Sequence, residues 1–223
     1  MRKKLLVFGS IAVVLAGVAA MSAYEAHVIN VTAHIENALK VIPQTGELVF
    51  GTVFPQEYQE KHIWITTSES FCESDQLRVL NIAYQIVQKP KCINEAGEYM
   101  PVDYSTHKCP DDYEEMPLLC PYLSKTPIDG DLVPYDDHGV LAFHNPLDPS
   151  SVATGIINKK KDLQDEWIID LVVPCFKGYC AQDWPDFVKS YNPDADPSLY
   201  EAIGDPEGTD FGCDLWVEVT DIY

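Results

Sequence analysis

The sequence predicts an all-β fold: a β-sandwich of the jelly-roll or immunoglobulin-like kind, with a long cysteine-containing insert and short helical turns. Three observations carry that expectation. Several segments alternate apolar and polar residues with a period of two, the signature of half-buried strands. Pro, Gly, Asn and Asp clusters punctuate at least seven such segments. About 200 residues follow an apolar N-terminal stretch, enough for one sandwich with its own core.

Taken in order, residues 27–39 place Ile29, Val31, Ala33, Ile35 and Leu39 on one face, with Asn30, Thr32, His34 and Glu36 on the other. Pro43 and Gly46 mark a turn, and Leu48 to Val53 reads as a second strand ended by Phe54-Pro55. His62 to Thr67 is a third, and Leu77 to Gln88 a fourth with Leu80, Ile82, Tyr84 and Ile86 inward. Residues 89–150 are rich in Pro, Asp, Tyr and Cys and have little periodicity; so long a connection needs staples, which Cys92, Cys109 and Cys120 would supply. Val152 to Asn158 and Glu166 to Val173 read as a hairpin around the polar run Lys159-Lys160-Lys161-Asp162. Helical turns are expected at 183–188, where Pro185 follows an acidic cap, and at 198–203. A last strand spans Cys213 to Ile222, with Leu215, Val217 and Val219 inward.

The chain opens Met1-Arg2-Lys3-Lys4, continues through an uncharged run to Ala20, and then offers small residues around Ala20, Ser22 and Ala23. This is the layout of a secretory signal peptide, so residues 1–22 are expected to be removed and 23–223 to form a single domain around the insert at 89–150. The uncleaved alternative is an anchor, which would make the membrane a partner. The apolar run is shorter than the roughly 20 residues a spanning helix needs, which favours cleavage. The formal charge is −20, from 35 acidic and 15 basic residues, and three of the basic ones lie in the signal. Such a field keeps a chain soluble, repels nucleic acid and favours cations such as calcium. The expected location is therefore secreted, extracellular or at the cell surface.

All seven cysteines (Cys72, Cys92, Cys109, Cys120, Cys175, Cys180 and Cys213) follow the signal. In an exported chain they are expected to form disulfides, the odd count leaving one thiol over. The pairing is open at this level. Zinc is the weaker reading, because no CxxC pair occurs.

Residues 1–90 also carry a resemblance. A signal segment is followed at once by Val28-Ile29-Asn30-Val31-Thr32-Ala33-His34-Ile35-Glu36-Asn37, and then by Leu48-Val49-Phe50-Gly51-Thr52-Val53-Phe54-Pro55-Gln56-Glu57. The second stretch is similar to the hydrophobic-Phe-Gly-x-Val-x-Pro-Gly-Glu segment of the TasA/camelysin family of exported surface and biofilm-matrix proteins. The strand from His62 and the Leu80-Asn81-Ile82-Ala83-Tyr84 strand follow in that family's order. Gln56 stands where the family usually has Gly, and the cysteine-rich insert is not typical of it. The resemblance implies a jelly-roll subunit of cell-surface filaments or biofilm matrix, in which an N-terminal segment of one copy completes the sheet of the next. Here that segment would be Ala23, Tyr24, Glu25, Ala26, His27 and Val28. Its partners would be further copies and other surface or matrix components.

No enzyme is expected, although camelysin has been classed as a metallopeptidase. No HExxH occurs among His27, His34, His62, His107, His138 and His144, and there is no GxSxG. His34 near Glu36 reads as a solvated strand residue; His138 and His144 are weaker metal candidates beside an acidic loop. No cofactor is required, and calcium is the cation the loops would suit. Asn192-Pro193-Asp194-Ala195-Asp196 spaces oxygen ligands regularly, but Pro197 and Ile203 stand where an EF-hand needs Gly and Glu. A looser site would use Asp194, Asp196, Asp205 and Asp210, or Asp129 and Asp131, against the plainer reading of solvated turn carboxylates. Asn30-Val31-Thr32 is a glycosylation sequon. Trp184, Tyr179 and Tyr191 are the aromatics a sugar would stack on, though such residues more often pack under a loop. The expected function is thus an exported structural protein, with a secreted calcium- or carbohydrate-binding module and a secreted metallopeptidase as alternatives.

Overall fold

The computed structural model of the chain describes residues 37–42, 47–73, 79–103, 105–106, 108–128, 137–146, 148–206 and 208–223. The expected signal peptide, cleavage site, most of the first alternating strand, the sequon and the segment Ala23 to Val28 lie outside the described residues. So do His27, His34, His107, Asp129 and Asp131.

The fold is all-β, as expected: antiparallel sheets and few helical turns. One sheet has four strands in the order β1 (Leu39–Ile42), β2 (Tyr58–Thr67), β9 (Gln164–Val172) and β7 (Leu123–Ile128). A second has three, β10 (Asp214–Ile222), β3 (Asn81–Lys89) and β8 (Ala153–Asn158). A small third sheet, β5 (Tyr99–Pro101), β4 (Lys91–Ile93) and β6 (Glu114–Glu115), lies within the insert. Helix α1 (Glu69–Glu73) joins β2 to β3, and α2 (Trp184–Tyr191) and a 3-10 turn (Pro197–Leu199) sit between β9 and β10.

Period-two alternation aims one face of each sheet at the other. From the four-stranded sheet come Ile63, Ile65, Trp167, Ile169 and Leu171; from the three-stranded sheet come Tyr84, Ile86, Ala153 and Ile157. All are buried, and Trp167 and Tyr84 are the largest fully buried side chains, so they set the spacing of the layers. The helical turns at 183–188 and 198–203 are present in shifted form. Trp184 enters the core and donates from Nε1 to the Pro197 carbonyl at 3.1 Å, which pins the second turn to the first.

Four expectations are corrected. Leu48 to Val53 is not a strand. Its Leu48, Phe50 and Val53 pack on the core without pairing, and Gly51 at φ 74° breaks the extended run. The following turn puts Gln56 itself at φ 66°, a left-handed conformation that suits Gly better, held by Gln56 N–H to the Val173 carbonyl at 3.0 Å. Second, β8 and β9 are not a hairpin ladder. The turn closes through Asn158 and Asp162, but each strand then joins a different sheet, because both inner faces are apolar and bury best against each other. Third, Val219 is exposed; the β10 register slips between Val219 and Asp221 and turns the strand's end away from the core. Fourth, residues 89–150 are not one loop: they build the small sheet and the edge strand β7.

The disulfides join Cys92 to Cys109, Cys120 to Cys213 and Cys175 to Cys180, leaving Cys72 on α1 as the exposed free thiol. Three disulfides place the folded chain in an oxidising compartment, extracellular or periplasmic. Among the described residues no helix is long and apolar enough to cross a membrane.

Candidate functional site

The two sides of the sandwich differ. On one side, β7 and β8 are bridged by residues 138–140. Lys125 and Val140 exchange both backbone hydrogen bonds at 2.8 Å, and His138 and Thr154 do the same at 2.8 and 3.0 Å. A Cβ at Gly139 would collide with the Lys125 carbonyl and sit 2.9 Å from Pro127 Cδ, so only glycine allows the seam to close this tightly. On the other side, β1 pairs only with β2 and β10 only with β3 along their ladders, among the described residues. Among the described residues, no second strand pairs with the outer row of backbone donors and acceptors of either.

Near the seam lies a buried polar cluster that no motif announced. Lys125 is fully buried and shares a register position with Ile169, so it points into the sandwich; its Nζ has no hydrogen-bond partner among the described residues. Burial alone pulls its ammonium down to about 7. His144 lies nearby. Its Nδ1 faces the Leu141 carbonyl at 2.7 Å and therefore carries the proton, so Nε2 accepts from the Gln88 amide nitrogen at 2.6 Å. Burial, and then the charge of Lys125, push His144 down to about 4 against the opposing Leu141 carbonyl. The preceding residue, Phe143, is fully buried at φ 56°, left-handed backbone that costs an L-residue energy. Asn192 holds it, donating to the carbonyls of Ala142 and Phe143 at 3.2 and 2.9 Å, while Phe143 N–H reaches the Pro121 carbonyl at 2.7 Å. Rings of Tyr122, Trp184, Phe187, Tyr191 and Tyr200 surround that of Phe143.

A second buried network centres on Tyr84. Its hydroxyl donates to Asp165 and accepts from Trp167 Nε1 at 2.7 Å; burial first, then the charge of Asp165, raise its pKa far above the phenolic range. Gly155 passes directly over it. A Cβ there would meet the Tyr84 hydroxyl and lie 2.6 Å from Asp137 Oδ1. Gly155→Ala is therefore expected to lose about 1–3 kcal/mol by overpacking, read from the midpoint of urea unfolding. An unchanged midpoint would mean that β8 can move away from Tyr84.

On the outer face of the four-stranded sheet, His62 sits between two carboxylates, Glu60 at Nε2 and Glu166 at Nδ1, both 2.8 Å away. The Glu60 bond first and the Glu166 bond second raise its affinity for a proton, and the site is solvated.

The acidic residues singled out for calcium stand apart from these clusters. Asp194 and Asp196 are exposed; Asp196 caps the 3-10 turn, accepting from Ser198 N–H and Oγ at 3.0 and 2.8 Å. Those bonds lower its proton affinity. Asp205 opens a turn closed by Thr209, and Asp210 follows it, exposed. Among the described residues no three His, Cys, Asp or Glu side chains are placed to hold a metal ion together. His138 is exposed and His144 buried, so the structure does not bring that pair together on one surface. Of the aromatic candidates, Trp184 is buried, Tyr191 stacks on Tyr58, and Tyr179 is 74% exposed. Sequence reasoning passed over Lys125 because it falls in the insert at 89–150, where little periodicity marks a strand; only its register opposite Ile169 turns it inward.

No protein-family model, no curated protein and no solved structure matches this chain.

Proposed function

We propose that this chain is an exported structural protein of the cell surface or extracellular matrix, and that copies associate by adding a strand to an open sheet edge. The observation that supports this reading is the asymmetry of the sandwich: one side is sealed by the 138–140 crosspiece, while β1 and β10 keep open outer edges among the described residues. A sandwich built as a monomer usually blunts such edges. Three disulfides suit a protein that persists outside the cell. The donor would be the segment Ala23 to Val28, which cleavage would leave ahead of the alternating residues that follow.

The test is sedimentation velocity and negative-stain microscopy of the exported chain over a concentration series, with and without a synthetic peptide of residues 23–36. Concentration-dependent oligomers that the peptide shortens are the expected result. A chain that stays monomeric at every concentration would count against self-association, and oligomers indifferent to the peptide against strand addition.

A further inference from the structure

The crosspiece at 138–140 and the buried His144 belong to one short run of chain. His144 lies four residues beyond Val140, and Ala142 and Phe143 between them are buried. The run is anchored at both ends. Its first part trades backbone hydrogen bonds with Lys125 on β7 and Thr154 on β8. Its last part turns through Phe143, whose left-handed backbone holds strain that the surrounding contacts keep in place. Gly139 leaves little slack at the first anchor, since a Cβ there would already collide with the Lys125 carbonyl. So short a run couples its two ends: moving His144 out to water pulls on the bonds that seal this side of the sandwich.

The groups around His144 penalise a second proton on its ring. It meets Gln88 from β3, the Leu141 carbonyl of its own run and the charge of Lys125 from β7. A proton on Nε2 would face the Gln88 amide nitrogen, donor against donor. Turning that amide presents Oε1, which has no hydrogen-bond partner among the described residues, but it leaves an imidazolium buried near an ammonium. Like charges held out of water repel strongly. The rings of Tyr122, Tyr191 and Tyr200 pack on Phe143 next to it, and burial raises the phenols of Tyr122 and Tyr200, so both stay neutral in acid. His138 on the crosspiece is exposed, and Asp137 before it accepts from the Ile156 N–H at 3.3 Å.

We infer that this run is an acid-sensitive latch: protonation of His144 near the Lys125 ammonium releases residues 138–146 and frees the edges of β7 and β8, while the rest of the sandwich stays folded. Linkage sets its size and sign. The closed form keeps His144 neutral down to about 4, whereas a His144 released to water takes its proton at the ordinary 6.5. Between those values only the open form gains the proton, so each unit of acidification multiplies the open population about ten-fold. Above 6.5 neither form is protonated there and His144 adds no pH dependence. Lys125 titrates near 7 in the fold and so carries its charge through the window in which His144 acts. The latch works within one copy and does not depend on self-association.

The experiment is amide hydrogen exchange of the exported chain at high dilution, followed from neutral pH down to about 4.5 and corrected for intrinsic exchange. The amides of Lys125, His138, Val140 and Thr154 make the crosspiece bonds. Their protection is expected to fall about ten-fold per pH unit below 6.5, while amides along the β2–β9 ladder keep theirs. In His144→Gln, whose amide takes no proton, that fall should vanish. In Lys125→Met it should shrink, because His144 then accepts its proton in place at a higher pH. Crosspiece protection that holds steady below pH 6.5 in the unmodified chain would overturn the latch. So would a loss shared equally by the β2–β9 ladder, which would mean that acid unfolds the whole domain at once. A fall that persists unchanged in His144→Gln would overturn His144 as the trigger.

Discussion

Replacing Cys120 and Cys213 together by Ser is expected to cost about 4–5 kcal/mol, the largest loss of any change at the disulfides. Their bond spans 93 residues and ties the start of β7, an edge of one sheet, to the start of β10, an edge of the other. A cross-link over so long a span removes the most freedom from the unfolded chain. The Cys92–Cys109 bond spans 17 residues and should be worth about 3 kcal/mol, and the Cys175–Cys180 bond, spanning 5, less still. Urea unfolding of the three paired Cys→Ser variants measures the order directly. A larger loss at Cys175–Cys180 than at Cys120–Cys213 would show that local packing, not chain entropy, governs the staples.

Lys125→Met is expected to stabilise the protein at neutral pH by about 2–4 kcal/mol, because it replaces a buried ammonium that has no hydrogen-bond partner among the described residues with an apolar chain of similar reach. The sign follows from linkage. In the unfolded chain Lys125 holds its proton up to about 10.5, whereas in the fold it releases it near 7. Above 10.5 both states are neutral there and the residue exacts no penalty. As the pH falls from 10.5 to 7 the unfolded state alone gains a proton, and stability drops by roughly 4–5 kcal/mol in all. Below 7 both states are protonated and this contribution is constant. His144 adds a second loss between its ordinary value of 6.5 and about 4. Unfolding free energies between pH 5 and 10 should therefore rise with pH in the parent and lose most of that rise above pH 7 in Lys125→Met. Removing the Lys125 charge should also let His144 titrate higher. Lys125→Arg, which cannot shed its proton, should be strongly destabilised. A Lys125→Met variant less stable than the parent, or one with the same slope above pH 7, would mean that the ammonium reaches water.

Pattern and chemistry were unequally legible. The inward faces of β3 and β9 follow from alternation because Ile82, Tyr84 and Ile86, and Trp167, Ile169 and Leu171, each recur at every second position and each is buried. The same rule failed for Leu48 to Val53, whose apolar residues are used for packing without a neighbouring strand to pair with. It failed differently for β8 and β9: alternation shows which face is apolar, not which sheet a strand joins. The calcium candidates were chosen by spacing along the chain, yet Asp196 is spent on capping a turn and the four carboxylates make no three-ligand set. The buried Lys125, Gln88 and His144 come from three separate parts of the chain, and no local motif could have joined them.

Sequence alone determined the all-β class, the inward faces of the long strands, the acidic surface, and the disulfide chemistry with one thiol left over. These depend on composition and on a side-chain period of two, both local properties. Tertiary structure decided which cysteines meet, that β8 and β9 part into facing sheets, that one side is sealed while β1 and β10 keep an unpaired outer edge among the described residues, and that Lys125 turns into the core. Those depend on where distant segments are brought together as the two apolar faces bury each other, and a local pattern carries no record of distance in space.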